Sequence, residues 1–365
     1  MNPPQKVRFP NRDQALFVSE VKASVAAYFD STGRSRHADV RMVMKTAVLI
    51  SGTVAAYVLI LTGWFNPWRM LALAVLMGIG LAGIGFSVAH DALHGAYSSN
   101  PHVNRLLGLT FDLMGANGYM WKITHNVIHH TYTNIPGLDE DLTVSPLIRL
   151  SPAAPLKPIH RYQHLFAFVA YSFATLNWLF AKDFKCFMMR DIGPYKDKVH
   201  PRAEVAMLIG TKLFVYAYSI VIPLLVLEIT WWQFLIGFIA MHLTAGLILG
   251  VIFQLAHVVE GTEFPAPEDD GTMEHVWLVH EMITTSDFAQ ENRWLSWYIG
   301  GLNFQIEHHL FPQVCSIHYP AIGRIVREVA QKHGVPYNNQ PTLRAAIRSH
   351  VAMLKQLGRP APAFA

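Results

Sequence analysis

Three groups of histidines carry the chemistry of this chain: His90-x-x-x-His94, His125-x-x-x-His129-His130, and Gln305-x-x-His308-His309. On a helix, residues four apart share a face and lie about 6 Å apart along the axis. His90 with His94, and His125 with His129, can therefore each aim two imidazoles at one point, while His130, about 100° further round, can serve a second ion nearby. Neutral imidazole ligates zinc, copper, iron and nickel. The two cysteines, Cys186 and Cys315, have no metal or redox spacing and are expected to be packing residues in a reducing compartment. A thiolate-free pocket lined by many imidazoles suits iron that must meet dioxygen.

The neighbours of these histidines are read more modestly. Asp91 lies between the first pair and can hold an imidazole in its binding tautomer. After the second group, a turn at Pro136-Gly137 leads to Asp139, Glu140 and Asp141. These carboxylates resemble the bridging ligands of di-iron bundles, but their loop setting favours a solvated or imidazole-orienting role. Gln305, His308 and His309 fall on one helical face, Glu307 faces elsewhere, and Pro312 ends the helix. His160 and His164 repeat the four-residue spacing at the start of an apolar segment, where polar anchoring is the commoner use. His275 and His280 are five apart and do not share a face. His37, His102, His200, His242, His318, His333 and His350 have no partner at ligand spacing.

The elements that must position these groups are membrane helices. Of 365 residues, 52% are hydrophobic and 15% charged, and the mean hydropathy is +0.25, outside the range of an ordinary soluble chain. Four runs, about 46–65, 69–89, 207–228 and 232–253, reach the roughly 20 apolar residues needed to cross a bilayer. Lys and Arg number eight in the first 45 residues, eleven between 90 and 206, and eight after 254, whereas the connection between the first two runs holds only Arg69. By the positive-inside rule the N-terminus, the middle segment and the tail are cytoplasmic, so all three histidine groups share one side. The apolar stretch 165–180 is short for a span, and crossing there would carry the third group to the opposite face. It is read as an interfacial helix, and 106–120, broken by Asp112, Gly115 and Gly118, likewise. The polar N-terminus has no apolar leader core. The net charge of +4 suits a face held against anionic lipid and an acidic partner; dispersed basic residues without a binding motif argue against nucleic acid.

HDALH, HNVIHH and QIEHHLFP, in this order and separated by a pair of spans, resemble the three histidine boxes of membrane-bound fatty acid desaturases. The likeness extends over HHTYTN, HRYQH, FQLAH and GGLNFQIEHHLFP, and the Gln opening the third box is similar to the front-end, Δ6-type acyl-lipid branch that lacks a fused cytochrome b5. The resemblance implies an all-α integral membrane fold: a cytoplasmic segment 1–45, then a desaturase domain 46–365 with four spans and a helical cap (90–206 and 254–365) around a di-iron site. It implies metal ligation by His90, His94, His125, His129, His130, His257, His308 and His309. From its own setting His257 reads as a core histidine, and only the resemblance makes it a ligand. At Gln305 direct ligation, ligation through water and no ligation all stay open.

An unactivated methylene has no acidic proton, so an oxidant is required, and the resemblance implies two iron ions with dioxygen as co-substrate. The spacing Gly78-x-Gly80-x-x-Gly83 matches GxGxxG but falls inside an apolar run of span length rather than after a strand, and the chain has no iron-sulfur cysteine set and no His-Pro-Gly-Gly haem motif. The expected partners are therefore an external electron donor, either a ferredoxin or a free cytochrome b5, the surrounding lipid, and a fatty acyl lipid or acyl-CoA substrate. Two rivals stand beside this reading. A di-iron hydroxylase or ketolase could use the same scaffold. A zinc hydrolase needs only about three protein ligands, and a transporter would place polar ligands at mid-membrane, whereas these groups lie at span ends.

Overall fold

A computed structural model describes residues 7–10, 14–142 and 146–360. The first six residues, part of the stretch in which no leader is expected, lie outside them. Helix α1 (Ala15–Thr32) precedes α2 (Val40–Leu61), which starts where the Asp39 side chain accepts the amides of Arg41 and Met42, a standard way to satisfy orphan N–H groups. Helix α3 (Pro67–Leu93) is capped by Asn66 with Pro67 in its first turn. Next come α4 (Pro101–Leu113) and α5, which begins at Gly118–Trp121 and continues through a wide π turn, Lys122–His129, into His130–Tyr132. Helices α6 (Pro158–Ser172) and α7 (Ala174–Met188) form a pair bent by 58°. They are followed by α8 (Arg202–Val226) and α9 (Trp231–His257), the latter opened by a capping box between Thr230 and Gln233.

The remainder caps one end: α10 (Trp277–Ile283), β1 (Asp287–Phe288), α11 (Arg293–Tyr298), α12 (Gln305–Leu310), α13 (Tyr319–His333), β2 (Asn339–Gln340) and α14 (Leu343–Leu357). The two strands pair in parallel, Asp287 opposite Asn339.

Among the described residues, α2, α3, α8 and α9 are the helices that are individually long and apolar enough to cross a membrane. Helix α2 buries Met42, Thr46, Leu49, Thr53 and Ala56 along one stripe and leaves Val43, Val48, Val54 and Val58 exposed, as a helix between protein and lipid should. Helix α3 packs against both α2 and α9. Gly246 of α9 meets the Ser172 backbone so closely that a β-carbon would overlap it, which seats the α6–α7 bend against α9.

Both ends of that bent pair lie on the histidine side. On entry, Gln163 donates to Leu354 O of α14, whose His350 bonds Val258 O just past α9. On exit, the Gly193 amide donates to Glu140 beside the second histidine group. Within the cap, Phe17, Val21, Val25 and Phe29 of α1 join Ile322, Val326 and Val329 of α13, and Ile306 and Leu310 of α12, in one apolar core.

Candidate metal centre

The histidine groups meet where α3 and α9 end, α5 begins to turn, and α12 closes from above. His90, His94, His125 and His308 form one set and His129, His257 and His309 a second; His130 joins His308 and His309 between them. Within each set, one ligand atom per residue lies within 4.8 Å of all the others. Ring centroids stand 4.4 Å apart for His90 and His308, 4.6 Å for His129 and His257, 4.8 Å for His257 and His309, and 4.3 Å for His130 and His309. Every one of these rings is buried.

Backbone geometry explains why one short segment can serve several sets. Two π turns, Gly85–Ala89 just before His90 and Lys122–His129 within α5, widen the helix locally, a device common at functional sites. In α5 the His125 and His129 rings stack at 4.9 Å and 19°. The next residue, His130, then faces His308 of the first set and His309 of the second. Close approach of the cap requires Gly300: its φ is +63°, and a side chain there would strike the Phe86 backbone of α3.

Hydrogen bonds through Nδ1 fix the tautomers. His129 Nδ1 lies 3.0 and 3.2 Å from the two carboxylate oxygens of Asp139, which also accept the amides of Asn134 and Asp141. His309 Nδ1 lies 2.7 Å from Glu281 Oε2, to which Thr133 also donates. His125 Nδ1 is 3.3 Å from Asp141, and His308 Nδ1 is 3.2 Å from the Tyr319 hydroxyl. His257 faces the Thr284 carbonyl at 3.4 Å. The Asn134 amide donates to the carbonyls of His257, Glu263 and Thr284, tying α5 to the end of α9.

The opposite ring nitrogens have no such partners. Nε2 of His90, His94, His125, His130, His308 and His309 is buried without a hydrogen bond to any described residue. An orphaned buried polar atom costs about 1–3 kcal/mol, so six converging in one pocket require something that binds lone pairs. A metal pair fits that requirement.

The electrostatics agree. Burial and mutual repulsion hold His94, His125, His130, His308 and His309 well below the usual imidazole range, and so neutral and ready to ligate. Burial also opposes protonation of His129, but Asp139, Asp141 and Glu281 outweigh it and lift the ring to about 9. Positive charge is therefore favoured at this point. Burial pushes the Glu281 carboxyl well above its normal range, and cations at the adjacent sets would return it to carboxylate.

The other sequence candidates fall into place around this pocket. Asp91 stands 3.9 Å from His90 Nδ1 but spends an oxygen on Ser316 N, Ser316 Oγ and Cys315 Sγ, fastening the chain after α12 to α3. Gln305 is buried and donates to Leu302 O at 2.8 Å. Glu307 bonds the Tyr337 hydroxyl. His160 bonds the Lys157 amide and Pro146 O, and His280 bonds Thr133 O. Of the acidic loop, Asp139 and Asp141 orient imidazoles, while Glu140 holds Gly193.

Sequence reasoning missed Glu281, Tyr319 and Thr133, which reach their histidines from other elements of the fold. It also missed Trp121, whose signal was available: it precedes His125 by four residues and stacks on it at 4.2 Å and 24°.

These features define an integral membrane protein built round a histidine-lined metal pocket. The fatty acid desaturase model matches residues 66–341, and the chain belongs to that family. It is similar to the sn-1 linoleoyl-lipid 6-desaturase of Synechocystis sp., 37% identical over 340 residues that make up 92% of this chain and 93% of the relative. The sn-1 linoleoyl-lipid 6-desaturase of Arthrospira platensis is 36% identical over 341 residues, 93% of this chain and 92% of that one. An acyl-lipid (8-3)-desaturase of Physcomitrium patens is 34% identical over 354 residues, 96% of this chain and 74% of that one. The protein is an enzyme that desaturates fatty acyl chains.

Proposed function

We propose that the chain is a front-end, Δ6-type acyl-lipid desaturase that uses two iron ions and dioxygen, receives electrons from a separate ferredoxin or cytochrome b5, and works at the cytoplasmic face with both termini on that side. The observation that carries this reading is the convergence of eight buried histidines, with six unpartnered Nε2 atoms, where the spans meet the cap. An all-imidazole donor set favours iron over magnesium or calcium, and its lack of thiolate disfavours a structural zinc site. The sidedness draws support from the short connections after α2 and α8: residues 62–66 and 227–230 carry a single charge, Glu228, while the basic residues collect on the histidine side. The α6–α7 bend is read as interfacial, since it leaves and rejoins the same side.

When bound, the metal pair supplies the oxidant, made from dioxygen and two external electrons, that removes two vicinal hydrogens from an unactivated methylene pair. The protein's part is orientation and exclusion of water. His129 and His309 are held by Asp139 and Glu281 so that Nε2 points inward. Trp121 covers one face of His125 and Phe253 stands edge-on to it at 5.8 Å, so apolar rings flank the pocket where an acyl chain would lie. Cap residues Phe304, Ile306 and Leu310 are buried in the apolar core that carries α12 and its two histidines.

The test is expression in a host that lacks the activity, followed by fatty acid methyl ester analysis. The expected product is a new cis double bond at carbon 6 of linoleoyl chains. A hydroxylated or keto product would replace this reading with the hydroxylase alternative, and a new bond at another carbon would overturn the regiochemistry alone.

A further inference from the structure

The two histidine sets are backed by different chemistry. In the set of His129, His257 and His309, each Nδ1 faces a fixed acceptor: Asp139 at 3.0 Å, the Thr284 carbonyl at 3.4 Å and Glu281 at 2.7 Å. Asp139 and Glu281 are themselves fully enclosed and held by Asn134, Asp141 and Thr133. A carboxylate behind an imidazole fixes its orientation and raises its basicity as a ligand.

The set of His90, His94, His125 and His308 has much less of this. Both nitrogens of His90 lack a hydrogen bond, its closest acid being 3.9 Å away. No hydrogen bond reaches the His94 ring from a described residue, His125 has only the half-exposed Asp141 at 3.3 Å, and His308 has a phenol. What orders these rings is an aromatic wall. Trp121 stacks on His125 and meets His90 and His94 edge-on at 5.5 and 5.4 Å, so a single indole touches three of the four. Phe111 packs on Trp121 at 5.6 Å and Trp178 on Phe111 at 5.4 Å, anchoring the wall to α4 and α7.

We infer that the two metal positions are unequal: the carboxylate-backed set of His129, His257 and His309 binds its ion first and more tightly, and the set walled by Trp121 binds its ion second and more weakly. Trp121 is a positioning residue for the second ion. Its side chain offers no lone pair to a metal; it restricts the ring torsions of three ligands that hydrogen bonds leave free. This inference rests on the two-metal reading proposed above. Losing an orienting partner of a ligating imidazole typically lowers metal affinity 10–100-fold, so the affinities should differ by at least about tenfold.

Metal binding to the purified, chelator-stripped full-length protein tests this, by anaerobic Fe(II) titration with elemental analysis after gel filtration. Two classes of one ion each are expected, and brief chelator treatment should release only one. Trp121→Ala should weaken the second class alone, by about tenfold or more, with Trp121→Phe restoring most of it. Glu281→Gln should weaken the first class alone and bring the two together. Should Trp121→Ala not fold, Glu281→Gln still separates the classes, because it should weaken the first alone. Two equivalent ions in the unaltered protein, or equal weakening of both classes by either variant, would overturn the inference and leave the proposed function standing. Fewer than two ions in the unaltered protein would overturn both.

Discussion

Lys212 lies in the third span, 1% exposed, and its ammonium is fully engaged. It donates to Asp183 Oδ2 at 2.7 Å, Gly115 O at 2.6 Å and Trp178 O at 2.7 Å. Through these bonds α8 is fastened to α7 and to the turn after α4, immediately behind the Phe111–Trp121 wall. Lys212→Met keeps the length of the side chain but removes all three bonds and leaves the Asp183 carboxylate, 4% exposed, without its cation. Breaking a buried pair from one side costs about 3–5 kcal/mol, whereas replacing both partners by apolar residues is often near neutral. The double variant Lys212→Met/Asp183→Leu should therefore regain much of the loss, but not all, since two carbonyls stay unsatisfied at roughly 1 kcal/mol or more each. At about 2–4 °C per kcal/mol, Lys212→Met should lower the apparent melting temperature by on the order of 10 °C, with the double variant between it and the unaltered protein. The assay is gel filtration of heated aliquots of detergent-purified protein at one scan rate. Lys212→Met melting with the unaltered protein, or a double variant less stable than Lys212→Met, would refute the pairing argument.

Three further outcomes are expected. Single changes of His90, His94, His125, His129, His130, His257, His308 or His309 to Ala should abolish desaturation, while His102→Ala and His333→Ala should not; near-normal product and two irons per chain in several of the eight would dismiss the ligand assignment. Gln305→His should retain more product than Gln305→Leu, because Gln305 is buried and donates to Leu302 O and the apolar side chain cannot; equal, full activity in both would remove Gln305 from the site. Purified protein with NADPH, dioxygen and substrate should give no product until a ferredoxin and its reductase are added, and the rate at limiting ferredoxin should fall as salt rises; turnover on NADPH alone would reveal an intrinsic redox group, and a salt-independent rate would discard the docking argument.

Much of this architecture was legible because it depends on local signals. Apolar runs of span length and the four-residue histidine spacing are properties of short segments, and the placement of the first histidine group at the end of a span follows from counting along the chain. The acids behind the histidines were legible only where they were near in sequence. Asp139 follows His129 by ten residues within one loop, so its class could be named, though its burial and its two contacts with His129 could not. Glu281 reaches His309 from a different helix, and Tyr319 reaches His308 across the turn at 311–318. These pairings arise from the cap's apolar core, where α10, α12 and α13 meet, and no spacing encodes them.

The second histidine group shows what periodicity leaves out. An α-helical reading sends His125 and His129 to one ion and His130 to another. In the structure His125 joins His90, His94 and His308, His129 joins His257 and His309, and His130 sits with His308 and His309. Over the wide turn Lys122–His129 the rings of His125 and His129 stack on one another and both present Nδ1 to Asp141, at 3.3 and 3.7 Å. A wide turn forfeits good α-helical bonds and is rare, and here it is supported from outside: the Asn126 amide donates to Leu93 O, and Asp139 and Asp141 hold His129 and His125 in the stacked orientation. The stacked orientation of His125 and His129 is thus held jointly by the wide turn and by the acids of the loop that follows it.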